Sequence, residues 1–533
     1  MKNIKLSRLI ILLVVALFVS CDDFLEITPE GKLSELGFYQ EEQDAEQTVI
    51  AIYDAIFTAT WPISPAVVLN VMASNRSDES VPNNCDWLGI DNRPDVAEFN
   101  IYADNDYANQ YWKWCFAGIG RANAAIKGIN LVPLENYSSE LKKTQLLAES
   151  RLLRAYFYLH LVKNFGGVPI LEQSVSAGNT NIPRDSKTDV FDFIHKDLKF
   201  AIDWLPLKDK TIPGRATKGL ASYLMVQSLI FEAGSTPNHE NWQLAYDYAN
   251  KFVNGEYASE YKLIDTYGNI WKQGFDFNDE IIFEWVVMED FDQGNNWFIA
   301  SFIQQKVIDY NKQGNPVVVG SWGWGHNGAT KALVDAFETN EDWGDPQPWE
   351  DPRLKVSVWR EGEILAIGAS DKDNVNDSLE IYLGTDYAPT GYAVKKYELT
   401  REPASFYPDL NPKIYRFSDL ILLHAEAAWH IGNFIESRNS LNKIRQRARQ
   451  GLPNNVLPDI TVGGQELLEA IWHERNVELC FEHHRFYDLV RTDRATEVLQ
   501  AMGKNFIKEK HELLPIPQSE IDIAPELEQN PGY

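Results

Sequence analysis

Residues Glu140–Phe165 read ELKKTQLLAESRLLRAYFYLHLVKNF and run directly into Gly166, Gly167, Val168 and Pro169. Leu141, Gln145, Ala148, Leu152, Ala155 and Leu159 recur at three- and four-residue spacing, which predicts a helix with one face turned inward. Two glycines and a proline end it, since neither residue type continues a helix well. The same grammar recurs outward in both directions. Asp189–Leu205 predicts a helix stopped by Pro206. Thr217–Ala233 and Trp242–Val253 predict a helical pair around the turn Gly234–Asn241, the second member carrying Ala245, Tyr248 or Ala249, and Phe252, with Gly255 as its stop. Asp419–His430 and Phe434–Ala448 repeat the plan around Gly432-Asn433, with Ala425, Leu441 and Ile444 facing inward.

Paired helices with alanine at close-approach positions resemble tetratricopeptide units. The expected fold is therefore mainly all-α, a scaffold of helical hairpins. Between Tyr257 and Tyr415 the texture changes. Trp271, Trp285, Trp297, Trp322, Trp324, Trp343, Trp349 and Trp359 fall here among Gly, Asn, Asp and Pro, and short β-like runs (Ile281–Val287, Pro316–Gly320) interrupt the stretch. It reads as an irregular, loop-rich lobe with short strands, off the helical scaffold. Loops held by a rigid scaffold are where binding residues concentrate.

The N-terminus reads as an address. Lys2, Lys5 and Arg8 precede the apolar run Leu9–Val19, too short to span a bilayer but suited to a signal peptide. Phe18-Val19-Ser20 before Cys21 resembles a bacterial lipoprotein box, with Cys21 the lipidated residue. A lipidated chain is anchored to a membrane without spanning it. The expected organisation is a signal peptide over 1–20, a lipidated tether over 21–40, a helical region over 41–256, the loop-rich lobe over 257–415 and a C-terminal helical region over 416–533. Residues 41–533 are expected to form one compact unit.

Composition removes other function classes. The 533 residues carry a formal charge of −28, which repels phosphate backbones and anionic lipid alike, so no nucleic-acid partner is expected. Three cysteines remain beyond Cys21, and Cys85–Cys115 is the one pairing worth considering. Trp outnumbers Met by 16 to 5, more rings than a core alone calls for.

Catalytic and cofactor motifs fail on inspection. Gly323–Gly328 matches G-x-G-x-x-G, but Asn340–Pro346 stands where a second buried strand ending in an acid should follow, and Trp324 occupies a place needing bare backbone. His473-Glu474 has Val477 where a zincin needs its second histidine. Asp371, Asp373 and Asn374 suggest a calcium loop, yet Val375 and Asn376 break its pattern. No metal, cofactor or catalytic residue is expected. Glu474, Arg475, Glu478, Glu482 and Arg485 lie on a helix with apolar residues on nearly every side, so some of these charges are expected to be buried and therefore paired. A satisfied interior ion network is favoured over an acid–base site.

Several stretches together match a known pattern: Cys21-Asp22-Asp23-Phe24-Leu25, Glu149–Phe157 running on to Phe165–Pro169, Asp351–Leu354, Thr390–Tyr397, Tyr415–Asp419, His473–Arg475 through Phe486–Leu489, and Leu514–Pro517. In this order they resemble the SusD/RagB family of surface lipoproteins from Bacteroidota. The resemblance implies a helical fold with tetratricopeptide-like units, an outer-membrane location facing the exterior, and a non-enzymatic role. That role is capturing oligosaccharide and delivering it to a SusC-like TonB-dependent transporter. Two other readings stay open on the residues: a surface glycoside hydrolase, and a tetratricopeptide-type adaptor for protein or peptide.

A sugar offers an apolar C–H face and a rim of hydroxyls, so its site needs exposed rings edged by polar groups. Two regions supply that mixture. One is Asn75-Arg76-Ser77-Asp78 with Trp87; the other is Asn295-Asn296-Trp297 with Trp322 and Trp324. The expected ligand contacts are therefore Trp322, Trp324, Trp297, Trp87, Asp78, Arg76, Asn75 and Asn296.

Overall fold

A computed structural model describes residues 35–57, 65–83, 93–173, 181–288, 307–310, 316–320, 325–343, 347–366, 378–380, 383, 388–397 and 409–533. The fold is mainly helical. Helices α1 (Glu42–Phe57), α2 (Asp106–Leu131), α3 (Glu140–Phe165), α4 (Lys187–Trp204), α5 (Lys218–Ala233), α6 (Asn241–Val253), α7 (Phe417–His430) and α8 (Phe434–Ala448) form an array in which each packs on the next. Helix α9 (Gly464–Glu478) lies against α7 and α8, and the short α10 (Arg485–Arg491) follows it. Helix α6 touches α7 although the whole loop-rich stretch separates them in sequence, so that stretch is inserted between neighbouring members of one continuous array.

Helix ends follow local chemistry. Ser139 caps α3 by accepting from the Lys142 N–H, Thr217 caps α5 through Leu220, and Ser186 with Asp189 forms a reciprocal capping box on α4. At the end of α3, Gly166 adopts φ +74°, a conformation that costs glycine little. In the middle of α2, a Cβ on Gly118 would lie 2.2 Å from the Phe157 ring, so α2 and α3 approach through a missing side chain.

The structure departs from the expected stripe on α3. Leu141 is 52% exposed, whereas from Leu146 onward the helix is buried on nearly every side. It is a central helix, which accounts for its weak amphipathicity.

The strands are short: β1 (Ser80–Pro82), β2 (Ile281–Glu284), β3 (Val307–Tyr310), β4 (Pro316–Gly320), β5 (Asn327–Ala329), β6 (Val358–Arg360), β7 (Ile364–Ala366), β8 (Ser378–Glu380), β9 (Tyr392–Val394) and β10 (Lys413–Arg416). β1, β5, β9 and β6 form one antiparallel sheet in that order; β2 pairs with β10, β3 with β4, and β7 with β8. The expected strand Ile281–Val287 ends earlier, at Glu284.

The tryptophan-rich texture resolves partly into core. Trp271, Trp285 and Trp359 are buried, so these rings fill the interior of the lobe and of its junction with the scaffold. Cys115 is a buried free thiol in the α2–α3 core, and Cys85 lies outside the described residues. The G-x-G-x-x-G stretch ends with Gly328 inside strand β5, in antiparallel pairing with Val81, an arrangement that cannot open a dinucleotide-binding helix. The broken calcium-type run at Asp371–Asn376 lies outside the described residues. Among the described residues, no cluster of His, Cys, Asp and Glu suits a metal ion, and no helix is long and apolar enough to cross a membrane.

Candidate functional site

The first sequence-predicted contact region begins where helix Pro65–Asn70 loosens into a π turn, Val71–Asn75. Such turns are rare and redirect the side chains that follow. Here they are redirected inward. Arg76 is fully buried: its Nε donates to the Met72 carbonyl at 2.6 Å, Nη2 donates to Asn164 Oδ1 at 2.6 Å, and the guanidinium lies 4.0 Å over the Phe486 ring. Asp78 accepts two hydrogen bonds from Arg485, each 2.7 Å long. Asn75 is buried and accepts from the Ser80 hydroxyl at 3.1 Å. Lys504 Nζ clamps the turn from below, donating to the Asn75 and Ser77 carbonyls at 2.7 Å each.

Asn75, Arg76 and Asp78, expected among the ligand contacts, are thus buried rather than displayed on an exposed loop. Besides the local contacts to Met72 and Ser80, the partners come from α3 (Asn164 to Arg76), α10 (Arg485 to Asp78) and the C-terminal segment (Lys504 to the Asn75 and Ser77 carbonyls). They form a floor. Trp87, Trp297, Trp322, Trp324 and Asn296 lie outside the described residues, as do Asn295 and Cys21.

What the floor supports is the β1–β5 pair. Ser80 stands opposite Ala329 and Pro82 opposite Asn327, and the pairing continues past the strands. Asn83 N donates to the His326 carbonyl at 3.0 Å, and its Nδ2 donates to the Gly325 carbonyl at 2.7 Å. Thr330, which caps the helix Lys331–Ala336, donates its N–H to the Glu79 carbonyl at 3.2 Å and its hydroxyl to the Asp78 carbonyl at 2.5 Å. The chain that carries Trp87 thus departs from Asn83 beside the point where the chain that carries Trp322 and Trp324 arrives at Gly325. Asn83 and Gly325, the described residues that precede Trp87 and follow Trp324 in sequence, share one strand end.

Beneath them sits Glu79, buried, with Oε2 accepting from the Phe481 N–H at 3.1 Å. The nearby Arg485 is committed to Asp78. Burial pushes the Glu79 carboxyl from the ordinary 4.5 up to about 7. Folding then favours its protonated form, and the native state loses stability as pH rises from the lower value through the higher one. Glu79→Gln, which mimics the protonated acid, is expected to stabilise the protein by roughly 1–3 kcal/mol at pH 8 and by much less at pH 5. Urea midpoints at the two pH values check this; destabilisation at pH 8 would refute it.

The charged residues grouped on and after α9 all find partners. Arg353 pairs with Asp351 at 2.6 Å, Glu474 at 2.6 Å and Glu478 at 3.1 Å. Arg416 grips Glu482 through Nε at 2.6 Å and Nη2 at 2.7 Å, and reaches Glu280 at 2.5 Å. Arg447 bridges Glu280 and Glu478, and Lys396 meets Glu482 at 2.6 Å. Arg475 holds Asp419 and Asp488 at 2.6 and 2.8 Å, and Arg491 meets Glu426 at 2.7 Å. These side chains are almost entirely excluded from water. They form an interior ion network in which every charged group has an opposite partner, and they fasten the lobe (Glu280, Asp351, Arg353, Lys396) to the helical array.

Comparison with known proteins agrees with this architecture. A model of the SusD family matches residues 279–533, and a second, described as starch-binding associating with outer membrane, matches residues 23–226. A SusD-like protein of Formosa agariphila is 25% identical over the whole of both chains, and one of Bacteroides ovatus is 23% identical over 91% of this chain and 82% of its own. Among solved structures, a laminarin-binding SusD-like protein superposes with a TM-score of 0.71 at 24% identity, covering 93% of this chain and 100% of its own. Surface glycan-binding protein A from Bacteroides thetaiotaomicron, solved with laminarihexaose, gives 0.71 at 20% identity, covering 92% of this chain and 100% of its own. With two family models matched in sequence order on either side of the α5 helix end, and the hairpin array they imply observed, the chain belongs to the SusD family.

Proposed function

We propose that this protein captures oligosaccharides at the outer surface of the outer membrane, anchored through lipidated Cys21, and passes them without chemical change to a SusC-like TonB-dependent transporter. The observation that carries the reading is the β1–β5 register. It makes Asn83 and Gly325 neighbours, and so brings together the entry points of the segments bearing Trp87 and Trp322/Trp324. Aromatic rings rooted at one place supply the stacking planes a sugar requires. The family membership and the glycan-binding structural relatives support the same ligand class. Asn75, Arg76 and Asp78 act from below, holding the strand end in position.

The test is a glycan-array screen of the purified protein, followed by calorimetry on the best ligand. Trp322→Ala and Trp324→Ala are each expected to weaken binding at least tenfold, about 1.4 kcal/mol or more, with little change in melting temperature. Unchanged affinity in both variants would sink the site, and release of sugar fragments by the purified protein would sink the non-catalytic role.

A further inference from the structure

A second concavity lies between the α4–α5 connection and strand β2, lined by described residues that include none of the predicted tryptophans. Its volume is 410 Å³, within the usual range of small-ligand sites. Ile282 forms part of its floor, Ile212 and Pro213 its outer lip, and Phe277 one wall.

Phe277 is the unusual member. Its backbone has φ +56°, a left-handed conformation costing a bulky residue about 1–3 kcal/mol. Burial does not compensate, because the residue remains 39% exposed. The strained geometry is held from inside: Phe277 N donates to Glu284 Oε1 at 2.8 Å, and the buried Glu284 carboxylate is itself held by Asn411 at 2.9 Å and Lys413 at 2.7 Å. The facing loop closes in at Gly214 (φ +89°), where a Cβ would fall 2.4 Å from Val286 Cγ2 and 3.7 Å from the Phe277 ring. Two backbone irregularities and a buried carboxylate thus maintain a half-exposed ring at the mouth of a cavity.

The polar lining narrows the ligand class. Thr211 and Ser259 offer hydroxyls, and Glu260 and Asp279 offer carboxylate oxygens. The local charges are partly balanced: Asp209 pairs with Lys210 at 2.6 Å, Asp279 with Lys262 at 3.1 Å and Glu284 with Lys413 at 2.7 Å, and Lys208 lines the same space, whereas the lining Arg215 is committed to Glu149 at 2.6 Å. A cation gains little here. A neutral ring with an apolar face and a hydroxyl edge fits both the aromatic wall and the acceptors.

We infer that this cavity is a second saccharide-binding site, with Phe277 as its stacking platform, that binds independently of Trp322 and Trp324. Phe277→Gly tests it, because glycine takes φ +56° without strain. Wild type, Phe277→Gly and Trp322→Ala/Trp324→Ala proteins are titrated calorimetrically with laminarihexaose and a panel of other α- and β-linked oligosaccharides, and with n-butylammonium as the cationic probe. The expected result is at least one sugar whose binding falls tenfold or more in Phe277→Gly. The melting temperature of that variant should be unchanged or higher, and the same binding should survive in the tryptophan double variant. Absence of Phe277-dependent sugar binding across the panel overturns the inference, as does Phe277-dependent binding of n-butylammonium alone. Loss of sugar binding confined to the tryptophan variant overturns it too, while leaving the proposed function standing.

Discussion

Glu478→Ala is expected to destabilise the protein by about 3–5 kcal/mol, enough to threaten folding, because it removes a carboxylate shared by three buried guanidinium groups. Glu478 is fully buried at the junction of three arginines: Arg353 at 3.1 Å, Arg416 at 3.2 Å, and Arg447. Removing the carboxylate leaves each guanidinium its other partners (Asp351 and Glu474 for Arg353, Glu280 and Glu482 for Arg416, Glu280 for Arg447) but takes one negative charge from a cluster water cannot reach. The same site predicts acid sensitivity. Burial by itself would raise the Glu478 pKa, but Arg447, Arg416 and Arg353 override it and hold the carboxyl down to about 2, against an ordinary 4.5. A pKa lowered by folding gives stability that is complete above the unfolded value and lost as pH falls toward the folded one. Urea midpoints for the wild type should therefore fall steeply between pH 4.5 and pH 2. The Glu478→Ala protein should lose less over that window, having already lost the pair. A midpoint within the equivalent of 1 kcal/mol of wild type at pH 7, on the order of a surface-pair effect, would show that the network is dispensable.

Trp242→Ala is expected to cost about 3–5 kcal/mol by a different route. Trp242 opens α6 and is almost wholly buried; its ring stacks on His430 at the end of α7 with centroids 3.6 Å apart and planes inclined by 7°, and its indole N–H donates to the Thr236 carbonyl at 3.2 Å. Burial lowers the His430 pKa to about 4, so the imidazole is neutral near pH 7 and the contact is an aromatic stack. Because α6 and α7 border the inserted lobe, this contact joins the array across the insertion. Truncation should weaken that junction first, seen as faster amide exchange in α6 and α7 than in α2 and α3. Trp242→Phe, which keeps most of the volume, should lose less than half as much. Equal losses in the two variants would mean that the indole hydrogen bond, not packing, carries the effect.

The helical array was legible from sequence because its determinants are local. Glu140–Phe165, Phe434–Ala448 and their neighbours declare themselves by spacing within a few residues and by caps one turn away, so their boundaries match observation closely. The lobe was legible as a change of texture, but not its interior. Trp271 and Trp359 are core rings, yet nothing in their local sequence distinguishes a core ring from a platform. Asn75, Arg76 and Asp78 show the same limit from the polar side. Read as an exposed loop, they are buried because Asn164, Arg485 and Lys504 arrive from 88, 407 and 429 residues away. The π turn that aims them inward has no signal in VMASN. Phe277 drew no attention at all, since neither a left-handed φ nor a cavity is written in Phe275–Asp279.

By itself, the sequence determined the helical class, the hairpin grammar, the family pattern and the requirement that the charges around Glu478 be paired. Periodicity, capping and the cost of burying an unpaired charge act through the residues at hand. Only the tertiary structure decided which guanidinium meets which carboxylate, which rings are core, and that Asn83 lies beside Gly325. Those outcomes depend on strand register and helix packing between segments hundreds of residues apart, where no local spacing favours one partner over another.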